Sequence, residues 1–134
     1  MQAQGPSIMV IDDEKVVGDM LRIHLTKHGC RVETFLSAAP ALDRLAEAPF
    51  DLIITDFKMK GMDGMELLKT VKERYPTIHV IMITAFAHMD TAIEAFRGQV
   101  HDFFPKPFKI KELLASVERA LGPGCLDRRT AAKP

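Results

Sequence analysis

Four short apolar runs in this chain are each followed by a side chain that can do chemistry. Ile8-Met-Val-Ile11 leads into Asp12-Asp13-Glu14, and Leu52-Ile-Ile54 leads through Thr55 into Asp56. Ile78–Ile83 leads into Thr84-Ala85, and Val100–Phe104 leads into Lys106-Pro107. Carboxylates crowded together repel, so each resists ionising alone. A divalent cation relieves that repulsion. An all-oxygen donor set suits a hard ion such as magnesium, which keeps several waters and often shares a phosphate oxygen. No His or Cys stands among these residues, which disfavours zinc. Magnesium, a hydroxyl and an ammonium can together neutralise a transferring phosphoryl group. The chain has no GxxxxGK(S/T) loop to cradle a nucleoside triphosphate, and no GxGxxG. The acceptor that remains is a carboxylate, which forms an aspartyl phosphate.

These residues act together only if the fold brings them to one place. The pattern alternates short apolar runs with helical ones. Residues 14–28 carry Val16, Val17, Met20, Leu21 and Ile23 at helical spacing, and Gly29 suits the stop. Val32–Phe35 reads as a strand. Ser37 can cap a helix carrying Ala38, Ala41, Leu42 and Leu45. Asp63 and Glu66 are spaced as a capping box for a helix with Met65, Leu68 and Val71 on one face. Helices are also expected over 90–98 and 109–121, the last stopped by Gly122-Pro123-Gly124. Five strands alternating with five helices imply a parallel sheet covered on both faces. Right-handed crossovers then bring the loops after the strands to one edge, where such sheets carry their sites.

Taken singly, each residue has an ordinary explanation. Asp-Asp-Glu caps many helices, Asp56 suits a turn, Thr84 can cap and Lys106 can be solvated. Their joint placement after four strands on one edge favours the chemical reading.

Composition narrows the class. At 134 residues the chain matches one domain at roughly 150 residues each. Eighteen basic and eighteen acidic residues give zero net charge. That argues against direct nucleic-acid binding and against a polybasic membrane binder. The longest uninterrupted apolar runs have about four residues, too short to span a bilayer, and Met1–Ser7 lacks the features of a signal peptide. The cytoplasm is the expected location. Cys30 and Cys125 are expected as two free thiols. His24 and His28 are four apart but lack a third ligand, so a metal role is not expected. The eight Met residues read mainly as filler, with Met59, Met62 and Met65 an alternative contact patch.

The segments Val10-Ile-Asp-Asp-Glu14, Leu52-Ile-Ile-Thr-Asp56, Met59-Lys-Gly-Met-Asp-Gly-Met-Glu-Leu-Leu68, Ile81-Met-Ile-Thr-Ala85 and Asp102-Phe-Phe-Pro-Lys-Pro-Phe108 carry a family resemblance. Over residues 7–121 the sequence resembles the receiver domain of bacterial two-component response regulators. The resemblance implies an α/β, flavodoxin-like doubly wound (βα)5 sandwich with strand order 2-1-3-4-5. It leaves 122–134 as a flexible tail. It implies that Asp56 is the phosphoacceptor, supplied by a sensor histidine kinase or phosphotransfer protein. Asp12 and Asp13 would be the acid pair for Mg2+, joined by Asp56 and the backbone carbonyl of Lys58. Thr84 would hydrogen-bond the phosphoryl group and Lys106 would pair with it. Phe103 stands at the switch aromatic position, and Lys106–Pro107 is expected to be cis. The 90–121 face would engage an output domain or partner, with a phosphorylation-dependent homodimer left open.

The sequence departs from the family pattern in places. Lys60 stands where Pro is usual, and Gln99-Val100 where Gly-Ala is usual. Phe103 lacks a hydroxyl. Lys58 and Phe86 are bulky neighbours of the acceptor and of Thr84, and are expected to shield the acyl phosphate from water. Thr91-Ala-Ile-Glu-Ala95 resembles receivers of enhancer-binding transcription activators, so a stand-alone receiver and a fragment of a larger regulator are both open. The function expected is a phosphorylation-dependent signalling switch and not an enzyme. The rivals are an interaction module acting without phosphorylation and a magnesium-dependent aspartyl-phosphate phosphatase. The second would need a general acid two residues past the nucleophile, where Lys58 stands.

Overall fold

Successive side chains of a strand point to opposite faces, so an unbroken apolar run is stable only where both faces are covered. The computed structural model, which describes residues 5–59, 61–85 and 88–126, meets that condition. The elements run β1 (Ser7–Ile11), α1 (Lys15–Lys27), β2 (Arg31–Phe35), α2 (Ala38–Glu47), β3 (Leu52–Asp56), α3 (Gly64–Arg74), β4 (His79–Thr84), α4 (Met89–Arg97), β5 (Asp102–Pro105) and α5 (Ile110–Leu121). The sheet is parallel throughout, in the order β2-β1-β3-β4-β5.

The central strands split their side chains by alternation. Met9, Ile11, Ile53, Val80 and Met82 face a core completed by Ala41 and Leu45 of α2, Leu67, Leu68 and Val71 of α3, and Ala95 of α4. Ile8, Val10, Leu52, Ile54, Ile81 and Ile83 face the other core, closed by Leu21 and Leu25 of α1 and Leu113 and Val117 of α5. Among the described residues no helix is long and apolar enough to cross a membrane.

Local details depart from the sequence expectation in four places. The α1 stripe centres on Gly18, Leu21 and Leu25, and this rotation leaves Val16 and Ile23 in solvent. Ser37 occupies the cap position of α2, but its side chain makes no capping bond, whereas the Asp63 side chain accepts from Glu66 N–H at 2.9 Å. Cys125 and Leu126 do not trail away: Leu126 is buried against the α1–α5 core and Cys125 packs beside it. The tail residues 127–134, Lys60 and Phe86 lie outside the described residues.

The fifth strand also starts later than its apolar run. Gln99 sits at φ 71°, in the left-handed region, and the turn it makes delays β5 to Asp102. A residue with a Cβ pays roughly 1–2 kcal/mol there, part of which glycine returns through its unfolded-state entropy. Gln99→Gly is therefore expected to stabilise the domain by roughly 0.5–1 kcal/mol. A thermal or urea melt measures it, and a destabilised variant would refute the strain argument.

Candidate functional site

The parallel topology delivers the four strand ends to one edge. Asp12 follows β1, Asp56 ends β3, Thr84 ends β4 and Lys106 follows β5. Asp12, Asp13 and Asp56 each offer an oxygen, and these atoms lie within 4.8 Å of one another. Asp12 and Asp56 are buried, while Asp13 is exposed. Lys106 reaches across the edge to three acids. Its Nζ lies 2.8 Å from Glu14 Oε1, 2.9 Å from Asp12 Oδ2 and 3.2 Å from Asp56 Oδ2.

Backbone contacts fix this arrangement. Asp12 Oδ1 accepts the N–H of Glu14 at 2.8 Å, which turns the chain from β1 into α1. The N–H of Lys106 donates to the Thr84 carbonyl at 2.8 Å, tying the end of β4 to the lysine loop. The N–H of Gly64 donates to Phe57 O at 2.6 Å and closes the loop after Asp56. The Lys106–Pro107 peptide is cis.

The electrostatics follow from crowding and burial. Burial raises the Asp12 carboxyl above its ordinary value, and the nearby Asp56 adds to this, while Lys106 and the Glu14 N–H work against it. Burial alone would lower the Lys106 ammonium, but the Glu14 and Asp12 carboxylates outweigh it and hold it well above the usual lysine range. The same lysine lowers Glu14. Four acids, Asp12, Asp13, Glu14 and Asp56, thus stand against Lys106 and the exposed Lys58 of the same cleft, so among the described residues the edge retains a negative excess.

That excess, with an oxygen-only donor set, fits a hard dication. Asp12 supplies a specific sign of it. Its buried Oδ2 meets no donor in well-aligned hydrogen-bond geometry, and its one close polar neighbour is Lys106 Nζ at 2.9 Å. A buried carboxylate oxygen left in this way retains the capacity to ligate a cation.

The edge opens to solvent through a cleft of about 380 Å³ lined by Asp13, Glu14, Asp56, Lys58, Met59, Ala85 and Lys106. Thr84 is fully buried, so Ala85 and not Thr84 lines this cleft. Phe103 is half-buried against the α2–α3–α4 core, as are Met59, Met62 and Met65. Glu14 enters the site through Lys106 with no role assigned to it from the sequence. Its position in the run after β1 was the only available signal. His24 is half-buried on α1, away from this edge.

Sheet order 2-1-3-4-5, with acids, a hydroxyl and a lysine gathered at its carboxyl edge, defines the CheY-like class of flavodoxin-like domains. The response regulator receiver domain matches residues 8–118, and the chain belongs to that family. It is 39% identical over 114 residues to the DNA-binding transcriptional regulator NtrC of Escherichia coli, covering 85% of this chain and 24% of that protein. It is 37% identical over 116 residues to the response regulator protein FleR of Pseudomonas aeruginosa, covering 86% and 24%. The chain therefore spans about a quarter of the length of these relatives. Among solved structures, a CheY-like receiver from Methanospirillum hungatei superposes with TM-score 0.83 at 25% identity, covering 87% of this chain and 93% of the other. The receiver TrrA of Thermotoga maritima, solved in complex with Mg2+ and BeF, superposes with TM-score 0.78 at 25% identity, covering 87% and 99%.

This chain is thus a receiver domain, the phosphorylation-dependent switch of two-component response regulators and in general a non-catalytic signalling domain. Receiver domains generally bind Mg2+ at an acidic cluster, and Asp12, Asp13 and Asp56 stand together here.

Proposed function

We propose that Asp56 is the phosphoacceptor and that its donor is a phosphohistidine on a sensor histidine kinase or phosphotransfer protein. A carboxylate oxygen of Asp56 attacks phosphorus, an O–P bond forms, the P–N bond breaks and imidazole leaves. Lys106 exchanges part of its contact with Asp56 for the incoming phosphoryl oxygens, and the Thr84 hydroxyl donates to another. Asp12, Asp13, Asp56 and the Lys58 carbonyl would hold Mg2+, which would supply positive charge against those oxygens. The observation that carries this reading is the juxtaposition of three mutually close aspartates with a lysine 3.2 Å from Asp56.

The output follows from the elements joined to that edge. Lys106 and Thr84 share a backbone hydrogen bond, and Thr84 is in register with Pro105, so a shift of Thr84 is felt at the carboxyl end of β5, two residues from Phe103. α4 exposes Met89, Ile93 and Phe96 at spacings of four and three, an apolar stripe suited to an output domain or partner. Phosphorylation shifts a pre-existing equilibrium of this 90–121 face. By likeness to NtrC, a DNA-binding transcriptional regulator, the regulated process is transcription. The compartment proposed is the cytoplasm. Lys58, exposed at the cleft, shields the acyl phosphate. Neither rival reading is favoured, because the acid, hydroxyl and lysine set is complete and Lys58 occupies the place of a general acid.

Intact mass after incubation with Mg2+ and a small phosphodonor tests the proposal. One added phosphoryl group, lost when the metal is chelated, is expected. No adduct, and none with beryllofluoride, would favour the interaction-module reading.

The charge balance makes a separate prediction for Asp12. Asp12→Asn removes one of the crowded charges and keeps the oxygen that accepts the Glu14 N–H. Without metal, this variant should melt above the wild type. At Mg2+ one hundredfold over Kd, the wild type should gain about 2.7 kcal/mol and the variant almost nothing. The wild-type gain should also weaken as pH falls, because burial makes the Asp12 carboxyl take up its proton at a higher pH than an ordinary aspartate. Equal Mg2+ shifts in both proteins would remove Asp12 from the metal site.

A further inference from the structure

The edge opposite Asp56 carries a pair of thiols that the phosphoryl chemistry does not use. In a doubly wound sheet all strands run one way and the helices return, so helices end at the edge where the strands begin. α1 and α5 cover the same face, and both end there. Cys30 lies just past the end of α1 and Cys125 just past the end of α5. Although far apart in sequence, they pack in one cluster with Leu21, Leu25, Leu113 and Val117. Gly122 at φ 103° and Gly124 at φ 83° reverse the chain after α5, in a conformation other residues rarely adopt. That reversal lets Cys125 N–H donate to Gly122 O at 3.3 Å and seats Leu126 in the core. Cys30 is buried and Cys125 is half-buried, the more accessible of the two.

We propose that Cys30 and Cys125 form a reversible disulfide by exchange with low-molecular-weight disulfides, tying the segment after α5 to the α1–β2 corner. The Cys125 thiolate attacks one sulfur of the small disulfide, whose S–S bond breaks, and the first small thiolate leaves. The Cys30 sulfur, deprotonated, then attacks the Cys125 sulfur and expels the second. Two protein thiols are oxidised, one small disulfide is reduced to two thiols, and the two protons pass to the released thiolates. Access assigns the order, because only Cys125 is open to a solute. Burial, with the neighbouring Cys125 sulfur adding to it, pushes the Cys30 thiol up to about 12. Closure is therefore the slow step and accelerates with pH. The tether restricts the path of the chain as it leaves α5 and leaves the Asp56 edge untouched.

The test treats the folded chain with oxidised glutathione, alkylates the remaining thiols in denaturant and measures intact and peptide masses. The expected product is a monomer lighter by two hydrogens, with no alkylatable thiol, a cross-linked Cys30–Cys125 peptide pair and full reversal by dithiothreitol. Closure should speed as pH is raised. Cys125→Ser, a near-isosteric change at a half-buried position, should retain the wild-type circular dichroism and lose the cross-link. A stable glutathione adduct on Cys125 with Cys30 still alkylatable overturns the proposal. So does an intermolecular disulfide dimer, or no reaction at all.

Discussion

Asp56→Asn is expected to abolish Mg2+-dependent phosphorylation. The carboxamide nearly matches the carboxylate in shape, so the β3–α3 loop and both cores should persist. Its oxygen is a poor nucleophile, and attack on phosphorus should slow by at least about a hundredfold. Intact mass under conditions that fully convert the wild type should detect no adduct. Removing one charge from a group of aspartates within 4.8 Å of each other should also leave the metal-free variant as stable as the wild type or more so. That second readout separates loss of the nucleophile from loss of the fold. An adduct formed at the wild-type rate would falsify the assignment and move the acceptor to another residue, which peptide mapping would identify.

The second large effect is expected at Gly64, a residue with no chemistry of its own. It is buried at the start of α3, and a Cβ there would lie 2.6 Å from Asp56 O and 2.8 Å from Phe57 Cα. Both are backbone atoms, so the loop carrying Asp56 must move to admit even a methyl group. Overpacking of this kind costs typically 1–3 kcal/mol. Gly64→Ala should lose about that amount in a urea melt. It should also bind Mg2+ more weakly, because displacement of Asp56 changes its distance from Asp12, Asp13 and Lys106. Gly18→Ala is a suitable control, since its backbone is helical and its added Cβ would meet only the Thr34 side chain at 3.6 Å, an ordinary contact. A Gly64→Ala protein with wild-type stability and Mg2+ affinity would show that the loop is softer than these distances imply.

Much of the architecture is legible without coordinates because two local rules act along the whole chain. Apolar runs of about four residues bounded by turn residues specify strands, and the intervening 3.6-residue periodicity specifies helices. Their alternation permits essentially one layered arrangement, which places Asp12, Asp56, Thr84 and Lys106 at one edge before any distance is known. The capping bond of Asp63 and the stop after α1 at Gly29 are also local and readable.

The alternation of elements, the edge that holds the chemistry and the residue types gathered there can all be read from local pattern. The tertiary structure alone decided who touches whom at long range. Lys106 meets Glu14 across 92 residues and Asp56 across 50, and no periodicity encodes such pairings. It decided that Thr84 is buried while Ala85 lines the cleft, and that Val16 and Ile23 of α1 face solvent. It also brought Cys30 and Cys125 into one cluster, because both helices of one face end at the same sheet edge. The physical reason is common to all of these. Local pattern sets which side of an element is buried, but the rotation of a helix on the sheet and the reach of a long side chain are settled only when every neighbouring group competes for the same space and charge.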